Sequence, residues 1–155
     1  MTGIFEHAIT VYNRRIDAPQ RPGLPPGGAR RPRWHRTVIN GAQWRDAGHA
    51  SVGGDGATVF GKAVSVTIPE EADCWDKTFV APSAFGGIPE DRLSEYWTVS
   101  ADPANPDIIV LGEGPEIDGA YTIADLERDH RHMRPREVTD GSHVADMPMI
   151  RIRGA

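Results

Sequence analysis

A single cysteine, Cys74, stands in a chain of 155 residues, so no intrachain disulfide framework holds this fold, and folding in a reducing compartment is expected. The lone thiol reads as partly buried rather than catalytic. No run of about 18 apolar residues is present to span a bilayer. The opening MTGIFEHAI lacks the basic-then-apolar order of a secretory signal, so the expectation is a soluble protein with no membrane partner. Long helical windows are missing as well. The 17 glycines and 13 prolines interrupt them, which leaves short strands joined by loops.

Catalytic constellations are equally scarce. Ser83, Ser94 and Ser142 stand in no G-x-S-x-G elbow or comparable context, and His143 beside Ser142 is adjacency in sequence, not pairing in space. Glu70/Glu71, Glu90/Asp91 and Glu127/Asp129 fall in polar runs that read as solvated faces rather than general-acid pairs. His130-x-His132 makes a poor metal pair, because residues two apart on a helix do not face one another. Gly56-x-x-x-x-Gly61-Lys62 approaches a phosphate-cradling loop, but Ala63 stands where Mg²⁺ needs a hydroxyl and the following AVSVTIP alternates as a strand. No catalytic residue, cofactor or metal is assigned, and the chain reads as a non-enzyme.

What is present is a strand grammar. A domain of this length can bury roughly 70% of the surface its unfolded chain exposes. The organising stretch runs from Trp34 to Pro69, where Val64, Val66 and Ile68 alternate with Ser65 and Thr67. Strands are expected over 4–13, 35–45 with a turn at Asn40-Gly41, 64–68, around Phe79-Val80, over 96–100 and over the continuous apolar run 108–112, which reads as buried on both faces. Residues REVTD and Met149–Arg153 close the set, flanking an Asp140-Gly141 turn. Trp44 reads as a core anchor and His7 as a partly buried, hydrogen-bonded histidine. Thr122, followed three residues later by Asp125, resembles a capping box opening a short helix that ends before Pro135, and a helical turn is allowed near 89–93. No internal repeat is visible. The expectation is one mainly β domain over 1–155, a small β-barrel or sandwich with one or two short helices, an extended basic loop at 14–33 and a Gly-rich loop at 46–62.

Charge is unevenly placed. From Arg14 to Arg36 there are seven arginines against one acid, Asp17, giving +6; the net charge of −5 leaves −11 for the remainder. Five prolines and three glycines in residues 14–33 preclude a helix or central strand there. Such a basic arm on an acidic body suits a subunit that docks on an acidic neighbour or faces a polyanion. The arginines lack interleaved aromatics, so single-strand nucleic-acid reading is the weakest of these uses.

The order of short phrases resembles a family of small siphophage proteins from the head-to-tail junction. FEHAITVYN (5–13) is similar to their F-x-x-x-ITLYN opening, and WHRTVINGAQW (34–44) to W/Y-x-R-T-V-I-x-G-V-x-W. VTIP (66–69), DIIVLG (107–112) and YTIADL (121–126) follow in the family's order, ahead of the closing strand. The resemblance implies a stopper, or head-completion protein: a β-barrel subunit forming a ring of six or twelve copies in the virion neck, assembled in the host cytoplasm. It implies a portal-adaptor complex above, a tail terminator or tail tube below, and genomic DNA passing without sequence readout. One loop of such a ring projects into the lumen, and both 14–33 and 46–62 are candidates. The residues offered for partner or lumen contact are accordingly Arg14, Arg15, Arg21, Arg30, Arg31 and Arg33 in the first, and Asp55 and Lys62 in the second. The alternatives are a tail terminator or other neck component, and a nucleic-acid-binding module using the arginine arm.

Overall fold

In the computed structural model, which describes residues 6–16, 32–46, 49–52, 58–61, 63–70, 72–74, 77–102, 107–117, 120–141 and 149–155, the chain opens with a long antiparallel hairpin. Its strands are β1 (His7–Ile16) and β2 (Pro32–Asp46). β1 alternates as its pattern predicts: Ile9 and Val11 enter one apolar core, while Thr10 and Tyr12 point the other way. Both sets are buried, because structure covers the second face as well.

The turn expected at Asn40-Gly41 is not there. Gly41 takes φ 87° and the register slips between His7 and Ala8, so the extra residue makes a β-bulge and the strand carries on. Inward parity then changes from Thr37 and Ile39 to Ala42 and Trp44. The bulge lets one strand serve two partners: Pro32–Ala42 pairs with β1, and Gln43–Asp46 pairs with β5 (Val64–Pro69).

Between β2 and β5, where a Gly-rich loop was expected over 46–62, β3 (His49–Val52) and β4 (Thr58–Gly61) form a separate antiparallel ribbon. β6 (Thr78–Phe79) and β7 (Tyr96–Trp97) make a short parallel pair around α1 (Pro82–Gly86) and a 3₁₀ turn (Glu90–Glu95). Then come β8 (Ile108–Leu111), α2 (Ile123–Asp129), β9 (His132–Met133), β10 (Pro135–Asp140) and β11 (Met149–Gly154). Seven strands share one sheet in the order β10-β11-β5-β2-β1-β8-β9.

That sheet folds over at β2 into two layers, and Ile9, Ile39, Trp44, Val66, Ile109 and Ile152 fill the space between them. Trp44 is the core anchor its sequence position implied. Each such apolar side chain contributes about 1.5–3 kcal/mol on burial. Of the two architectures expected, the sandwich describes the fold; the sheet is not closed into a barrel. The edge strands β9 and β10 are separated by Arg134 alone, so they run end to end around a corner instead of pairing side by side. Arg134 exchanges backbone hydrogen bonds with Ala155 at that corner, at 2.8 and 3.3 Å.

α2 covers the far face of β1 and β8, where Tyr12, Ile108, Val110 and Leu126 form a second apolar cluster. This is why β8 is buried on both faces, as its unbroken apolar run required. The capping box is formed: Asp125 N–H donates to Thr122 Oγ1 at 3.3 Å, and Thr122 N–H to Asp125 Oδ2 at 3.0 Å. The helix is shorter than its pattern, ending at Asp129 with His130 as the C-cap, because β9 claims His132 and Met133 for the sheet edge.

Candidate interaction surfaces

The basic arm has a shorter span than its composition implied. Arg14 and Arg15 belong to β1 and Arg33 to β2; Arg14 pairs with Trp34 and Arg15 with Arg33 across the ladder. Arg15 also donates from Nη1 to the Phe85 carbonyl at 3.2 Å. Residues 14–16 and 32–33 are therefore strand, anchored at the mouth of the hairpin. Arg21, Arg30, Arg31, Asp55 and Lys62 lie outside the described residues.

Arg36, counted with the arm's charge, is built into the body. Its Nε donates to the Gly114 carbonyl at 2.6 Å, and its Nη atoms reach Glu113 at 3.2 Å and Glu116 at 3.4 Å. Beneath it the buried Tyr12 hydroxyl donates to the Pro115 carbonyl at 2.7 Å, and burial pushes that phenol well above its ordinary range. Thr10 completes the seat, donating to the Gly112 carbonyl at 2.7 Å and accepting from Gly114 N–H at 2.8 Å.

A buried polar knot fastens β1 to β8. Asn13 Nδ2 donates to the Thr98 carbonyl at 2.5 Å and to Asp107 Oδ2 at 3.0 Å. Asp107 also accepts from Arg14 N–H at 2.9 Å and Ser100 N–H at 2.8 Å. Burial raises the Asp107 carboxyl to about 6, and these donors offset only part of the cost of removing a charge from water. His7 is the satisfied histidine its parity predicted: its Nδ1 accepts from Trp44 N–H at 3.1 Å.

A cleft of about 510 Å³ opens beyond the end of β5, lined by Pro69, Cys74, Lys77, Phe79 and Trp97 among others. Burial moves the Cys74 thiol up to about 11 and lowers Lys77, whose Nζ donates to the Arg36 carbonyl at 2.9 Å and Thr37 Oγ1 at 3.0 Å. A thiol so shifted is a poor nucleophile. Cys74 is half-buried, as expected of a structural thiol. The phosphate-loop pattern at 56–62 contains strand β4 and is followed by strand β5, so the helix N-terminus that would cradle a phosphate is replaced by a ladder. Among the described residues no group of three or more His, Cys, Asp and Glu stands close enough to hold a metal ion, and no helix is long and apolar enough to cross a membrane.

One surface was missed in the sequence. Register places Arg45 and Arg153 on either side of Ser65, and Gln43 and Arg151 on either side of Thr67. All three arginines are exposed on the outward face of the second layer. The alternation of Arg151 and Arg153 with Ile150 and Ile152 was the available signal, but joining Arg45 to them needs the β2–β5–β11 strand order.

No curated protein and no solved structure matches the chain. Over residues 4–155 the sequence matches DUF6751, a family of unknown function, and the chain belongs to that family.

Proposed function

We propose that the chain is a structural subunit of a virion neck, a ring-forming stopper that closes the portal channel after DNA packaging and joins head to tail. Its partners are copies of itself, the portal-adaptor complex on one side and the tail terminator or tail tube on the other, with DNA passing without sequence readout. The observation that carries this reading is the placement of the two long excursions. Segment 17–31 precedes β2 and the β3–β4 ribbon follows it, so they leave opposite ends of a strand with about 45 Å of contour. On the ring reading, these two segments serve a neighbour above and a neighbour below. The phrases resembling the siphophage junction proteins fall on the central strands β1, β2, β5 and β8, which form the frame from which both excursions leave.

The experiment is removal of the gene from a phage that carries it, with particles recovered by gradient. Packaged heads without tails, leaking their DNA, are expected. Intact infectious particles without the chain would overturn the reading.

A further inference from the structure

We infer that the outward arginine face of the second layer, Arg45, Arg151 and Arg153, docks on the carboxylates that follow β5 in a second copy of this chain. The inference rests on the ring reading and specifies its contact. The two strand spacings across Ser65 put the Arg45 and Arg153 backbones about 10 Å apart, and Arg151 stands about 7 Å from Arg153 along β11. The hydroxyls of Ser65 and Thr67 lie on the same outward face, adding hydrogen-bonding groups to the charge. Arg36, Arg92, Arg128, Arg131 and Arg134 each hold a carboxylate; among the described residues Arg45, Arg151 and Arg153 pair with none. Glu137 on β10 stands opposite Arg153, so the face carries three arginines against one carboxylate; with the planar fork that takes a carboxylate bidentately, these arginines are a surface awaiting an acidic partner.

The chain carries that partner at the other end of the same strand. Glu70 and Asp73 are exposed just past Pro69, and residues 70–76 hold four acids in seven positions. From Ser65 to Glu70 is about 17 Å along the strand, about twice the Debye length of roughly 8 Å at physiological ionic strength. Within one subunit Arg45 and Arg153 lie well beyond the screening length of these carboxylates, while Arg151, level with Thr67, stands about 10 Å from Glu70 along the strand; across a contact between two subunits the whole arginine face meets them. Because the two patches are different and displaced, the contact is head-to-tail, the kind that propagates into a ring or filament rather than stopping at a symmetric dimer.

The test uses the purified full-length chain in low salt, with mass measured by sedimentation velocity across a concentration series. Wild type is expected to associate beyond dimers. Arg45→Glu/Arg151→Glu/Arg153→Glu and, separately, Glu70→Lys/Asp73→Lys should each raise the apparent dissociation constant at least about 100-fold with an unchanged circular dichroism spectrum. Mixed together, the two variants offer each other the native contact and its charge-reversed counterpart, and should associate again where neither does alone. A chain carrying all five substitutions should associate again. Wild type that stays monomeric at its solubility limit, an arginine variant that associates normally, or a mixture that stays monomeric overturns the inference. Unaltered association with loss of duplex-DNA binding would do the same and assign the face to phosphate. None of these outcomes depends on particle phenotype, so failure here is separable from failure of the stopper reading.

Discussion

Asp107→Asn removes a charge that the fold buries at the β1–β8 junction, and the structure fixes both the size and the sign of the effect. A rise from 3.8 to about 6 corresponds, at 1.36 kcal/mol per pH unit, to about 3 kcal/mol. Because the folded chain holds this proton more tightly than the unfolded chain, the native state binds more protons between those two values. The stability linked to Asp107 is therefore fully present below pH 3.8 and is lost as pH rises through about 6. Asp125 and Asp129, held low by hydrogen bonds from Thr122 and Arg128, shift stability the opposite way, but they are present in both proteins and cancel in the difference. Asparagine keeps an oxygen for Asn13 and Ser100 but turns its NH₂ toward the Arg14 N–H, a loss of about 1 kcal/mol that does not vary with pH. Urea unfolding followed by tryptophan fluorescence, from pH 3.5 to 7.5, should show wild type losing about 3 kcal/mol relative to the variant, mostly between pH 4 and 6. A pH-independent difference, or wild type gaining on the variant as pH rises, would refute the reasoning, since the three donors would then stabilise the anion outright.

Gly114→Ala would drive a methyl group into the Tyr12 hydroxyl and the Val110 side chain, so the urea midpoint should fall by the equivalent of about 2–3 kcal/mol. Gly41→Ala places a side chain at φ 87° in the bulge of β2 and should cost about 1–2 kcal/mol in the same assay. With its thiol raised from 9.0 to about 11, Cys74 should react with iodoacetamide at pH 8 about 100-fold more slowly than an ordinary cysteine, and reach the ordinary rate on unfolding.

Much of the fold was legible because it is written in period-two alternation. Val64–Ile68 and Ile150–Arg153 keep one parity inward, and β5 and β11 fall where that parity puts them. The unbroken Ile108–Leu111 run declared a strand covered on both sides, and Thr122 with Asp125 declared the helix that does the covering. Asn40-Gly41 was misleading because positive φ at glycine serves turns and bulges alike. Only the long-range register with His7 and Ala8 decides between them, and no local window contains it. The hairpin ladder also outlasts its propensity, since pairing with Pro32–Trp34 holds Arg14, Arg15 and Ile16 extended. Of the candidate contacts, Arg14, Arg15 and Arg33 prove to be strand residues. The outward trio of Arg45, Arg151 and Arg153 required strand order, a tertiary fact absent from composition and motif. The role of Asp107 was not legible because its three donors come from Asn13, Arg14 and Ser100, two of them more than ninety residues away.

The measurement that bears most directly on the function is a density map of the intact neck of a particle carrying this chain. The account predicts a ring of copies coaxial with the channel between portal and tail, each showing the two-layered sheet, with its two excursions directed to opposite neighbours. A neck without this chain, or the chain found elsewhere in the particle, would contradict it.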